Sequence, residues 1–192
     1  MFKQIVATVL IAFAILSIYF GSYLPLSKAQ KYVEALRAAR SSARSISDFK
    51  MLFNIPLDFY SPIGNEEVIK FLSIDILNAI TQKQPEEINR SLVEYIEPHM
   101  FKNDVRHLII LGQMYAILWR EYGNKEDYLK SESYQQMALA IGPNLPPVLY
   151  GLLDIYQASG DKVKLMEIAK TIVKYWPEDE GVQKVIKKLN GQ

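Results

Sequence analysis

Residues 5–26 contain no charged side chain across 22 positions. Beyond them the apolar residues recur three and four apart instead of alternating, so the pattern predicts helices and demands no strand. At about 1.5 Å per residue the uncharged run makes a helix of roughly 33 Å, enough for the hydrocarbon core of a bilayer. Tyr19 and Tyr23 stand toward its far end, where amphipathic rings suit the headgroup level, and Pro25 is placed to end it. The competing reading is a cleaved leader. Lys3 supplies a charged start, and Ser27 and Ala29 are small residues at peptidase spacing, which would leave Gln30 as the first mature residue. Residues 5–20 alone exceed the usual apolar region of about 7–15 residues, so an uncleaved anchor is expected.

The polar remainder divides into helices by its own punctuation. Residues 28–45 read as an amphipathic helix with Tyr32, Val33 and Leu36 on one side and Arg37, Arg40 and Arg44 as a basic stripe on another. That stripe is either a solvated face beside the bilayer or a contact for anionic lipid headgroups or a lipid-linked phosphate. A short helix follows Ser47 and should stop at Asn54-Ile55-Pro56. After the loop Ser61-Pro62-Ile63-Gly64, Asn65 is the expected N-cap of a helix over 65–82, with Glu66 and Glu67 where the helix dipole favours negative charge. Pro85, Glu86 and Glu87 open a partner that runs to 97 and stops at Pro98. Two further pairs are predicted at 104–122 with 126–141 and at 146–158 with 161–175, and a last helix at 178–189. Short links between neighbours imply antiparallel hairpins.

Composition narrows the function classes. The chain has 192 residues, 49% of them apolar, which suffices for one ordinary core. Lys and Arg number 22 against 21 Asp and Glu, a balance that argues against nucleic-acid binding. With no cysteine there is no disulfide framework, thiolate metal site or cysteine nucleophile. The only histidines, His99 and His107, lack paired metal-ligand spacing. Gly64, Gly112, Gly123 and Gly142 stand alone, so neither a phosphate-binding loop nor a nucleophile elbow can be written. The acidic pairs Glu66-Glu67, Glu86-Glu87 and Glu126-Asp127 sit at helix starts, where the dipole accounts for them. Trp119 and Trp176 read as packing residues. The chain is therefore expected to be no enzyme, with no cofactor and no small-molecule substrate.

Leu149, Leu152, Tyr156, Gly160 and Pro177 in the last pair, and Leu108, Leu111, Gly112, Tyr115, Ala138 and Pro143 in the one before, fall in equivalent places if about seven extra residues are set near 122–129. Pro143 and Pro177 are 34 residues apart. The pattern resembles the tetratricopeptide repeat, whose period is about 34 residues. A degenerate third copy spans 65–98, with Leu72, Ser73 and Ile76 in its core. The resemblance implies an all-α fold: an N-terminal transmembrane helix followed by a stack of antiparallel hairpins, an α-solenoid closed by helix 178–189. It divides the chain into an anchor (1–26), a juxtamembrane helix and linker (27–60) and a repeat domain (61–192). It also implies a concave binding face lined by Arg106, Ile109, Gln113, Ala116 and Ile117, then by Pro147, Tyr150, Asp154, Gln157 and Ala158. Ile109 with Gln113 and Tyr150 with Asp154 do not match the Lys and Asn with which the chaperone-binding branch clamps a peptide carboxylate.

A narrower resemblance rests on the span, Tyr23-Leu24-Pro25-Leu26-Ser27-Lys28-Ala29, Glu34-Ala35-Leu36, and Ser61-Pro62-Ile63-Gly64-Asn65-Glu66-Glu67. These resemble the C-terminal region of bacterial O-antigen ligase-like and polymerase-like membrane proteins, whose last span leads into such repeats. The many other spans and catalytic loops of those enzymes are absent from this chain. The expected function is a scaffold at the bacterial inner membrane that binds a protein partner, of which a multi-span envelope-glycan enzyme is one class, and touches membrane lipid. The alternative is the separately encoded or remnant tail of a ligase-like system, contacting lipid-linked glycan through Arg37, Arg40 and Arg44. Lys28, Lys31, Arg37, Arg40 and Arg44 outweigh Lys3 and favour a cytoplasmic domain, although large domains also translocate despite such charge, which leaves an extracytoplasmic one open.

Overall fold

The computed structural model describes residues 1–82 and 84–191. Among them the chain is 83% helical with no strand. It separates into two compact units, residues 1–75 and 76–192.

The first unit begins with one continuous helix, Phe2–Ser42, of 41 residues. It comprises α1 (Phe2–Ile18), a π-helical turn (Tyr19–Tyr23) and α2 (Leu24–Ser42). Pro25 does not end the helix, contrary to expectation. A proline ring ordinarily collides with the carbonyl four residues back, here that of Gly21. The π turn widens the backbone just ahead of it, with the Leu24 N–H donating to the Tyr19 carbonyl five residues back, so the ring is accommodated. No residue of α1 is buried, whereas α2 buries Leu24, Lys28, Tyr32 and Ala35.

Helix α3 (Ile46–Asp58) starts two residues earlier than the sequence suggests, because Ser45 rather than a later residue is its cap. The Asp48 N–H donates to Ser45 Oγ at 3.1 Å, and Asp48 Oδ2 accepts from the Arg44 N–H at 3.1 Å. Pro56 likewise fails to stop this helix. It lies in the last turn, where only one backbone bond is forfeited, and its ring is buried. Phe53 is 1% exposed, its ring tilted against those of Phe49 and Tyr32 at centroid distances of 4.5 and 5.9 Å. Tyr32 donates its hydroxyl to Asp75 Oδ2 at 2.8 Å. Burial and this carboxylate together push the phenol pKa up. Asp75 lies on α4 (Asn65–Ile80), whose first residue is Asn65 itself; Gly64, at φ +91°, occupies the cap and its carbonyl accepts from Val68.

The second unit contains α5 (Glu86–Ile96), a 3-10 turn (Glu97–His99), α6 (Val105–Tyr122), α7 (Lys125–Ile141), α8 (Pro146–Ser159), α9 (Lys162–Tyr175) and α10 (Glu180–Leu189). All lie within a few residues of the periodicity-based limits. Their starts carry local caps: Asp104, Asn124, Asp161 and Asp179 each accept a backbone N–H from the first turn. Leu108, Leu111, Tyr115, Ala138, Leu149, Leu152 and Tyr156 are all 3% exposed or less. The extra residues near 122–129 form no loop. Gly123 and Asn124 alone link α6 to α7, and these helices run 18 and 17 residues against 14 each for α8 and α9. The pair α6–α7 thus has seven more helical residues than the pair α8–α9.

Helix α7 packs against both α6 and α8. A Cβ on Gly112 of α6 or Gly151 of α8 would come within 2.8 Å of the Gln135 side chain. Gln135 is therefore clasped between two glycines, and Ser131 one turn earlier donates to the Gly112 carbonyl at 2.7 Å. Gly112 thus permits a close approach of α6 to α7, and Gly151 repeats it on the α8 flank.

Candidate functional site

The residues expected to line a groove lie on α6 and α8, which touch each other. Arg106, Gln113, Pro147, Asp154, Gln157 and Ala158 are exposed, Ile109 and Ile117 half-buried and Ala116 buried. Tyr150 is 36% exposed. Arg106 folds back onto the cap of its own helix, with Nη2 2.6 Å from Asp104 Oδ2. That guanidinium holds the Asp104 carboxyl down at about 2.

Two of the expected groove residues on α8, Asp154 and Tyr150, have partners that sequence spacing did not reveal. Asp154 Oδ2 accepts from Arg120 Nη2 of α6 at 2.6 Å, joining the two helices across the exposed face. Tyr150 donates its hydroxyl to Asp179, which raises the phenol pKa and lowers that of the carboxyl. Its ring lies 6.2 Å from that of Trp176. Gln157 borders a cavity of about 270 Å³ shared with Leu165, Val185 and Leu189 of α9 and α10. The face is thus a line of amide, acid and aromatic groups already braced by Arg120, Trp176 and Asp179. The aromatic and acidic residue types were visible in the sequence; the bracing was not, because Arg120 lies 34 residues and Asp179 29 residues from its partner.

A second polar constellation was missed altogether. Glu97, legible in sequence only as the end of α5, accepts hydroxyl bonds from Tyr115 at 2.5 Å and from Tyr134. Lys130 Nζ donates to the Tyr115 hydroxyl at 3.1 Å and lies 4.6 Å from the ring centroid, and Lys102 lies 5.5 Å from the centroid of Tyr134. Burial works to raise the Glu97 pKa, but the two hydroxyl donors and the lysine charges hold it below the usual carboxylate range. Burial and the same carboxylate push both phenols upward. These hydrogen bonds make the cluster a latch between the 3-10 turn and the α6–α7 hairpin.

In the first unit the basic stripe stands away from the apolar segment. Arg37, Arg40 and Arg44 are exposed. With the helix unbroken at about 1.5 Å per residue, Arg37 and Arg40 lie roughly 16 and 21 Å beyond Leu26, and Arg44 lies past the end of α2. Lys28, read as a flanking cation, is 2% exposed. Its Nζ donates to the Phe59 carbonyl at 2.7 Å and the Leu57 carbonyl at 3.5 Å, so it satisfies the end of α3, and burial pushes its pKa down. No family model, curated protein or solved structure matches this chain.

Proposed function

We propose that this protein is a single-span membrane scaffold whose α6–α9 hairpins, arranged as tetratricopeptide-like repeats, bind another protein at the bilayer, with a multi-span envelope-glycan enzyme as the expected partner class. One observation carries the membrane half of this reading. The helix Phe2–Ser42 has an apolar segment with no buried residue and a second half built into the folded unit. Cleavage ahead of Gln30 would strip Leu24 and Lys28, both buried, from that unit, which supports an anchor over a leader.

Support for the repeat reading comes from packing order. Helix α6 contacts α7 and α8, α8 contacts α9, and α9 contacts α10, and Gln135 sits between the glycines of two successive hairpins. The exposed row Gln113, Tyr150, Asp154 and Gln157 suits an extended segment or helix of a partner. The distance of Arg37, Arg40 and Arg44 from Leu26 favours protein binding over contact with a lipid-linked glycan. The full chain should stay in the membrane fraction after high-salt or alkaline washing, whereas a chain beginning at Tyr23 should be soluble. A mature N-terminus at Gln30 would overturn the anchor. Affinity purification of the full chain from mild detergent tests the partner, which the Tyr150→Ala, Asp154→Ala protein should fail to retain.

A further inference from the structure

The turn joining α3 to α4, residues 59–64, carries Tyr60 at 69% exposure and Ile63 at 58%, in a stretch Phe59-Tyr60-Ser61-Pro62-Ile63-Gly64-Asn65 without a charge. Its level along the long helix is set at both ends. At the start, the Phe59 carbonyl accepts from Lys28 Nζ at 2.7 Å, and Phe59 lines an open cleft together with Tyr19, Tyr23 and Ser27. At the end, Gly64 lines another with Pro25 and Ala29. Between them Ser61 Oγ donates to the Ile63 carbonyl at 2.6 Å and closes a tight tip. The ends of the turn therefore stand beside residues 19–34, a stretch that takes in the end of the uncharged run together with Lys31 and Glu34. Tyr23 and Leu26, each 59% exposed, project from the helix at that same level.

We propose, resting on the membrane-span reading, that the 59–64 turn is a second bilayer contact, with Tyr60, Pro62 and Ile63 seated at the boundary between headgroups and acyl chains alongside Tyr23 and Leu26. An aromatic ring with a polar tip and a branched apolar side chain are the residue types that partition there. Two ammonium groups are held against the turn: Lys28 Nζ is sequestered by two backbone carbonyls, and Lys31 Nζ stands 5.1 Å from the centroid of the Phe59 ring, where a cation suits the anionic headgroup level. A bilayer is favoured over a protein partner because the apolar surface of the turn continues the level of a helix whose first 18 residues bury nothing. Two contacts restrict rotation of the helix about its axis and hold the α2–α3 pair at a set angle to the membrane.

The chain has no cysteine, so one introduced thiol labels a single site. Full-length Phe13→Cys, Leu26→Cys, Ser42→Cys and Ile63→Cys proteins, each carrying an environment-sensitive fluorophore, would be reconstituted in phosphatidylcholine–phosphatidylglycerol vesicles with nitroxide lipids labelled near the headgroup or deep in the chain. Emission at position 63 should be blue-shifted and quenched by the shallow nitroxide to the same degree as at 26, position 13 quenched by the deep one, and position 42 unaffected. If position 63 behaves like 42 while 13 remains quenched, the second contact is overturned and the span stands. Water-like emission at both 13 and 63 overturns the span reading and this contact with it.

Discussion

The Tyr150 hydroxyl on α8 donates to the carboxylate of Asp179, and the same carboxylate caps α10 by accepting the Val182 N–H at 2.9 Å. A residue expected to face a partner is thereby coupled to the start of the terminal helix. The coupling separates the effects of the ring from those of the hydroxyl. Tyr150→Phe keeps the ring beside Trp176 and loses only the bond, so amide hydrogen exchange should quicken in α10 and stay unchanged in α6 and α7. Uniform protection across both regions would show that the bond does not hold the helix end.

The groove itself is tested by the double replacement Tyr150→Ala, Asp154→Ala. Both side chains are exposed, and the Arg120–Asp154 pair is a surface ion pair worth on the order of 0.2–1 kcal/mol, so the unfolding midpoint should move little. Partner capture should fall sharply, since a truncated aromatic anchor commonly costs about 2 kcal/mol or more of binding energy. The same proteins recovered in the same amounts as with wild type would exclude this face.

Tyr156 offers the opposite case. It is 3% exposed, its hydroxyl accepts from Gln136 Nε2 at 2.8 Å, and burial pushes its pKa up to about 12. Tyr156→Ala should cost about 3–5 kcal/mol in denaturant unfolding, with binding lost only indirectly. A change within about 0.5 kcal/mol, typical of a surface site, would contradict its place in the core.

The Glu97 latch makes stability depend on acidity. Its pKa is depressed in the folded state below the ordinary value of 4.5, so the stabilisation is fully present above that value and is lost as pH falls through the folded pKa. Glu97→Gln removes the charge that Tyr115 and Tyr134 bond. The variant should be about 1–3 kcal/mol less stable at neutral pH and lose less on acidification than wild type. Parallel pH profiles for the two proteins would place the acid sensitivity elsewhere.

Gln135 shows a local cost. Its Oε1 is buried without a hydrogen-bond partner between Gly112 and Gly151. Gln135→Met keeps the length of the side chain and removes the orphaned oxygen, so unfolding should show neutral to increased stability, by up to about 1–3 kcal/mol. Replacing Gly112 with Ala should instead destabilise, because the new methyl meets the Gln135 side chain at 2.8 Å.

The helices and much of the core were legible in the amino-acid order because their causes are local. Periodicity of three and four put Leu108, Leu111, Tyr115, Leu149, Leu152 and Tyr156 on buried faces, and short polar residues such as Asp104, Asn124 and Asp161 capped the helices that follow them. The uncharged 5–26 run likewise announced a helix long enough to cross a bilayer. Tertiary structure decided what depends on partners distant along the chain. Of the three prolines assigned as helix stops, Pro98 follows the end of α5, but two lie inside helices, Pro25 because a π turn opens the backbone before it and Pro56 because its ring is buried in a final turn. Lys28 counted as a flanking charge until the end of α3 folded back to supply carbonyls 29 and 31 residues away. Tyr150, Asp154 and Glu97 acquired their chemistry in the same way. A side chain's type and helical face follow from its neighbours in sequence, but its hydrogen-bond partner and its pKa follow from whichever element packing brings against it.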